Sequence, residues 1–225
     1  MQVSVVVLTR DRCARLKLCI ADILEKTTVP MELIVVDNGS KDDTRAYLNA
    51  LSGIKHISLS QNYGVWARNL GFELSKGEFI AQIDDDVRVH AGWFEHMASH
   101  MSDDVIAVGP QGLYKDLSWG SMGNEMVNPG EYCDILTGFC WLMRNKGYRY
   151  DKFWRDEVLF WHEESEIQFQ MRAGGWRFKR CGDVATHASM RTGDVDWEVH
   201  NKALAFVNTK WKPREAELHF ERRAK

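Results

Sequence analysis

Several things are missing from this sequence, and each absence excludes a class of protein. No apolar stretch is long enough to span a bilayer, and no basic segment followed by an apolar one opens the chain. Neither a membrane span nor a secretory leader is therefore expected. The five cysteines, Cys13, Cys19, Cys133, Cys140 and Cys181, are odd in number and contain no CxxC pair. That argues against a disulfide framework or a zinc ribbon and for reduced thiols in a cytoplasmic protein. Internal repeats, low-complexity segments and linkers are also missing, and 225 residues suffice for one domain with a real core. Charge of one sign is missing as well. A net charge of −3 gives no global attraction to nucleic acid or to an anionic membrane. Only the end is locally basic: Lys210, Lys212, Arg214, Arg222, Arg223 and Lys225 outnumber Glu215, Glu217 and Glu221, a surface open to solvent, a membrane or an acidic acceptor.

What is present first is a regular alternation. Val3 to Leu8 is a continuous apolar, β-branched run, the pattern of a strand buried on both faces. Leu16, Cys19, Ile20, Ile23 and Leu24 then recur at helical spacing up to Pro30. Leu33 to Val36 reads as a second buried strand, and Asp42 or Asp43 can cap the helix that follows it. Ile54 to Leu59 is a third strand, Trp66, Leu70 and Leu74 mark a helix, and Phe79 to Ile83 is a fourth strand. Alternation of this kind predicts a mostly parallel sheet with right-handed crossovers, whose ligands bind beyond the carboxyl ends of the strands. The second half is less regular. Trp93 to Met101 fits a helix, Val105 to Val108 and Thr137 to Met143 fit strands, Ser165 to Ala173 fits a short helix and Val195 to Asn208 a closing one. Residues 110 to 135 show no period and read as a loop.

Three polar clusters fall at the predicted strand ends: Thr9-Arg10-Asp11, Asp37-Asn38-Gly39-Ser40 and Asp84-Asp85-Asp86. The last aims three carboxylates at one point. Unpaired, they would repel one another and raise their own pKa values; a hard divalent cation with phosphate oxygens on its far side would resolve that. Asp84 and Asp86 should share a side of the extended chain.

These pieces, in this order, resemble a family-2 glycosyltransferase of the GT-A fold. The resemblance runs over about residues 3 to 187. It is carried by Val3 to Arg12, by Glu32 to Ser40 with Asp42, Asp43 and Thr44, by Asn62-Tyr63-Gly64 with Ala67-Arg68-Asn69 and Gly71, by the aspartate triplet, and by His162-Glu163-Glu164-Ser165-Glu166 with Arg172, Gly174, Gly175 and Trp176. It implies a single Rossmann-like α/β domain with a mostly parallel central sheet flanked by helices. About residues 1–109 would form the nucleotide half, 110–190 the acceptor half, and 191–225 a C-terminal helix and basic tail.

The activity implied is transfer of a sugar from a nucleoside diphosphate, UDP foremost, to a hydroxyl acceptor with inversion. The acceptor class stays open: glycan, lipid carrier, protein, small molecule or nucleic acid. By the same resemblance Asp37 accepts from the base or ribose, Thr9, Arg10, Asp11 and Asn38 line the nucleotide, and Gly64 lets the backbone pass close to it. Arg68 faces the nucleotide or Asp84, Asp84 faces the ribose and Arg68, Asp85 reaches the sugar or a metal-bound water, and Asp86 holds Mn²⁺ or Mg²⁺. His187 completes the metal site or touches the diphosphate; as a metal ligand its imidazole favours Mn²⁺. Glu164 stands where the family has an aspartate base, one methylene longer, so the base is either Glu164 or its neighbour Glu163. Among Trp119, Trp141, Trp154 and Trp161, one is expected against acceptor or sugar, Trp161 or Trp119 foremost.

Two rivals differ in class. A nucleotidyltransferase would carry a Gly-rich loop after its first strand, where this chain has Thr9-Arg10-Asp11-Arg12. A non-catalytic nucleotide-sugar-binding relative would bind donor without cleaving it.

Overall fold

The computed structural model describes residues 3–115, 119, 125–156, 162–187 and 196–221. Its first half follows the alternation read above: β1 (Val3–Thr9), α1 (Cys13–Lys26), β2 (Met31–Asp37), α2 (Thr44–Ala50), β3 (Lys55–Ser58), a 3₁₀ turn at Gly64–Ala67 running into α3 (Arg68–Leu74), and β4 (Phe79–Asp84). After β5 (Val87–Val89) come α4 (Trp93–Ser99) and β6 (Val105–Gly109). The segment read as a loop instead contributes four short strands, β7 (Gly112–Tyr114), β8 (Glu125–Met126), β9 (Tyr132–Cys133) and β10 (Ile135–Leu136). Two or three residues are too few for a period of two to show, so their pairing is set by tertiary contacts. The rest is β11 (Cys140–Arg144), α5 (Phe153–Asp156), α6 (Glu163–Ala173), β12 (Arg177–Arg180), β13 (Ala185–His187) and α7 (Trp197–Trp211), with a 3₁₀ segment at Lys212–Leu218.

Eight strands form one sheet in the order β3-β2-β1-β4-β11-β6-β12-β9. The first four are parallel; beyond β4 the sheet is mixed, β11 running antiparallel to both its neighbours. Alternate side chains feed opposite layers. Val5 and Val7 enter a core with Leu16 and Ile20 of α1, while Val6 enters one with Phe72, Trp141 and Phe169.

Close approach explains one glycine in the segment Ala67-Arg68-Asn69-Leu70-Gly71. A Cβ on Gly71 would lie 2.5 Å from Val6 Cγ1 of β1. Gly71→Ala is therefore expected to lower stability. Overpacking costs about 1–3 kcal/mol, against about 1 kcal/mol gained in helix propensity. The urea midpoint should fall; a rise would mean that α3 stands further from the sheet than described.

Asp43 occupies the N-cap position of α2, but the side-chain bonds come from Asp42, whose carboxylate accepts from the backbone N–H of Thr44 at 3.0 Å and of Cys13 at 2.9 Å. One residue thus ties together the starts of α1 and α2. Part of the basic end is neutralised internally. Lys210 donates to Asp151 and to the fully buried Glu166, and Arg214 pairs with Glu217; Arg222, Arg223 and Lys225 lie outside the described residues. Arg172, wholly buried on α6, donates to Asp134 and to the carbonyls of Cys133, Leu218 and His219, which fastens the base of α6 to the sheet and to the chain's end. Among the described residues no helix is long and apolar enough to cross a membrane.

Candidate active site

Parallel register brings the polar clusters to one rim. Thr9 pairs with Asp37 across β1 and β2, and Leu8 with Asp84 across β1 and β4. The two loops beyond β1 and β2 are stitched together: Asp11 N–H donates to Ser40 Oγ, and Lys41 N–H donates to Asp11 Oδ1. Asp37 is fully buried. Its Oδ1 accepts from Ser40 N–H at 2.9 Å, while Oδ2 has no hydrogen-bond partner among the described residues and lies 3.7 Å from Arg45 Nε. A buried acceptor left in that state costs free energy that a ligand's N–H or O–H can recover. Asn38 faces inward: its amide binds Asn62 and the Gly64 carbonyl and accepts from Tyr63 N–H, holding the loop that leads to Gly64. Gly64 itself is buried at φ +59°. The Arg10 side chain stays near the surface beside Asp11.

The triplet divides three ways. Asp84 ends β4 and takes the guanidinium of Arg68, the buried first residue of α3. Asp85 turns the other way, accepting from Thr9 Oγ1 at 2.7 Å and from Arg12 at 3.1 Å. Asp86 is shared: Oδ2 lies 3.3 Å from Arg12 and 3.4 Å from Arg15, and Oδ1 lies 3.1 Å from His187 Nε2. His187 arrives a hundred positions later because β13 pairs with β5, setting His187 opposite Val87. Asp84, Asp86 and His187 each offer one ligand atom, all within 4.8 Å of one another. Two carboxylate oxygens and an imidazole nitrogen converging in this way fit a divalent cation.

Charge sorts the three aspartates. Burial raises the pKa of Asp84 beyond what Arg68 can offset, with the neighbouring carboxylates adding to the rise. Burial raises that of Asp85 too, against Thr9 and Arg12. Asp86 is also raised by burial, but His187, Arg12 and Arg15 together hold it below the ordinary value. Asp86 is thus the most readily ionised of the three.

Sequence reasoning passed over several neighbours. Arg15 looks like an ordinary surface charge on a helix, and Arg12 belongs to the Val3 to Arg12 segment without a role of its own, until the start of α1 brings both to Asp86. The Phe139 ring stacks on His187 with centroids 4.9 Å apart, and the Phe139 carbonyl accepts from Asp84 N–H at 2.9 Å. One residue so braces two members of the cluster, and nothing in an apolar side chain signals it beforehand. A cavity of about 450 Å³ opens beside His187 and Phe139, bounded by Gln111 and Asp183.

Across from the aspartates, Glu163 and Glu164 begin α6, next to His162 at φ +58°. The stem of Glu164 lies along Gly138, where an added Cβ would sit 3.5 Å from its own. Gln82 of β4 donates to the Gly138 carbonyl at 2.9 Å and accepts from Tyr150 Oη at 2.6 Å, which fixes that turn. Burial raises the pKa of both glutamates, and for Glu163 the adjacent Glu164 raises it further. Both feel Arg68 and Asp84, so the pair and the aspartates share one site.

For three of the four tryptophans the expectation of a sugar contact is corrected. Trp119, Trp141 and Trp154 are buried to 2% exposure or less and serve the core, Trp119 donating from Nε1 to Glu215; large apolar rings of this kind fill the layer under α6 and α7. Trp161 lies outside the described residues.

The sheet, parallel over its first four strands, thus carries a carboxylate rim, a cation-sized cluster at the end of β4 and a glutamate pair near it. The Glycosyl transferase family 2 model matches residues 4–162, and the chain belongs to that family. A relative is the hyaluronan synthase of Pasteurella multocida, 32% identical over 117 residues, which are 48% of this chain and 12% of that protein. The chain spans 12% to 37% of the length of the first curated relatives it matches. Among solved structures, the mannosyltransferase PcManGT of Pyrobaculum calidifontis, in complex with GDP-Man and Mn²⁺, aligns with a TM-score of 0.67 at 17% identity, over 96% of this chain and 68% of that one. TarS of S. aureus in complex with UDP-GlcNAc aligns with a TM-score of 0.65 at 15% identity, over 93% and 66%. The nucleotidyltransferase alternative falls with the family assignment.

Proposed function

We propose that the chain transfers a glycosyl group, with inversion and with the help of a divalent cation, from a nucleoside diphosphate sugar to a hydroxyl acceptor. The observation that carries this reading is the convergence of Asp84, Asp86 and His187 opposite a glutamate pair of raised pKa. UDP is the proposed nucleotide, held at the rim by Thr9, Arg10 and Asp11, with the unpartnered Oδ2 of Asp37 accepting from the base or ribose. Asn38 and Gly64 keep the adjoining backbone in place for it. Arg68 orients Asp84, and Asp85 locks Arg12 against the strand end. Asp86 and His187, with Asp84, would hold Mn²⁺ or Mg²⁺, the imidazole favouring Mn²⁺. The cation supplies charge neutralisation for the departing diphosphate.

On the other face the acceptor's hydroxyl proton passes to Glu164 or Glu163. The acceptor oxygen bonds to the anomeric carbon as the bond from that carbon to the diphosphate oxygen breaks. The five free, buried thiols fit the reducing, cytoplasmic setting proposed with this activity.

A thermal-shift screen of UDP- and GDP-sugars, each with and without Mn²⁺, tests the donor half, and release of free diphosphate nucleotide tests the cleavage. UDP-sugar with Mn²⁺ should raise the melting temperature; saturation at a hundred times Kd corresponds to about 2.7 kcal/mol. A shift with GDP-sugars alone reassigns the nucleotide. Binding without any cleavage supports the non-catalytic alternative.

A further inference from the structure

Trp197 differs from the buried tryptophans. Trp93, Trp119, Trp141, Trp154 and Trp211 are 2% exposed or less, whereas Trp197 is 65% exposed. It opens α7, whose start is capped by Asp196 Oδ1 accepting from the N–H groups of Glu198 and Val199 at 3.1 Å each. The indole meets His200 edge to face, centroids 5.3 Å apart, and His200 meets His162 in the same way at 4.6 Å. His162 directly precedes Glu163. A row of three rings therefore leads from the surface of α7 to the glutamate pair.

The inner end of that row is polar and unfinished. His162 Nε2 and Glu163 Oε2 are buried without a hydrogen-bond partner among the described residues. Burial, with His200 and Lys115 adding to it, pulls the His162 pKa down to about 4, so the ring is neutral near pH 7 and can donate or accept. An exposed aromatic face at one end and unpaired polar atoms at the other match the two kinds of surface on a pyranose. Its C–H face covers an aromatic ring, and its hydroxyls satisfy buried polar groups. A lipid chain laid along the row would leave His162 Nε2 and Glu163 Oε2 unpaired.

We propose that Trp197, His200 and His162 form a carbohydrate subsite for the acceptor, with Trp197 as its stacking platform and the end at His162 and Glu163 receiving the hydroxyl that is glycosylated. The acceptor is then a glycoside. This rests on the glycosyl transfer proposed above.

The test uses the whole chain labelled with ¹⁵N in its indoles, the Trp197 signal being assigned by its loss in Trp197→Phe. Methyl β-glycosides of glucose, galactose and N-acetylglucosamine are titrated in, with Mg²⁺ and UDP present. The Trp197 signal should move with at least one of them, and Trp197→Ala should weaken that glycoside's binding about tenfold, the effect of uncovering one ring face. Unmoved Trp197 with every glycoside overturns the subsite, as does movement with polyprenyl phosphate alone or unchanged glycoside affinity in Trp197→Ala. Dispersion of the other indole signals shows that the variants are folded. A glycoside-dependent shift in a chain that cleaves no nucleoside diphosphate sugar sustains the subsite and removes the transfer reading, so the two fail separately.

Discussion

Asp86→Ala is expected to abolish the dependence of nucleotide binding on Mn²⁺. Asp86 faces the cluster on one oxygen, 3.1 Å from His187, and a pair of arginines on the other. Loss of partners that merely support a metal ligand costs about 10–100-fold in affinity, so loss of the ligand itself should cost at least about 100-fold. The variant has a second, opposite consequence. Removing the carboxylate leaves Arg12 and Arg15 without the charge they share, and two guanidinium groups attract a diphosphate directly, while His187 loses the partner that raised its pKa. UDP binding should therefore become weak and equal with and without Mn²⁺, instead of vanishing in both. Titration calorimetry of UDP in Mn²⁺ and in chelator measures both affinities. Unchanged UDP affinity in Mn²⁺ would sink the assignment of Asp86 as a ligand. Arg12 and Arg15 are about half exposed, so their lost ion pairs should cost stability little, and the variant should remain folded.

The partners of Asp86 also show what was legible in the chain beforehand. The parallel half of the sheet could be read because each central strand is buried on both faces, which forces a continuous apolar run, and because each run stops at a polar cluster. The carboxylate rim follows from the same rule. His187 could be placed only by resemblance: it reaches Asp86 through the three-residue strands β5 and β13, and pairs that short leave no pattern. Arg15 carries no signal that separates it from a solvated helix charge, Arg12 closes the Val3 to Arg12 segment with nothing to point it at Asp86, and Phe139 looks like any core residue. Trp119, Trp141 and Trp154 misled in the opposite direction. A large ring can serve a core or a sugar equally well, and burial decided for the core at Trp119, Trp141 and Trp154. Trp197 stood unremarked among nine tryptophans, because exposure is a property of the fold.

Replacing both glutamates, as Glu163→Gln with Glu164→Gln, is expected to lower transfer by about 10²–10⁴, the usual worth of a general base. A double variant with the wild-type rate would remove these residues from the reaction. The single variants assign the base through pH. Both carboxyls are raised above the ordinary glutamate value, and only the ionised form accepts a proton, so the wild-type rate should climb with pH through a limb lying above about 4.3. For Glu163 part of the rise comes from Glu164. If Glu163 is the base, Glu164→Gln should keep activity and move the limb to lower pH; if Glu164 is the base, that variant loses the rate and Glu163→Gln keeps it. Stability should change in the opposite sense to activity. With folded-state values raised, the native chain holds more protons than the unfolded one between the ordinary and the raised pKa, so wild-type stability falls as pH rises through that window. A glutamine at position 163 has no charge to bury. Glu163→Gln removes one of the two raised carboxyls, so its stability should fall less steeply across the window, Glu164 still titrating, and stand above the wild type at its upper end by on the order of 1 kcal/mol, measured by urea unfolding at a series of pH values. Loss of rate together with gain of stability in one variant is the signature of a carboxylate kept in an unfavourable place for its chemistry; a variant less stable than the wild type at every pH would mean that Glu163 is there to hold the start of α6.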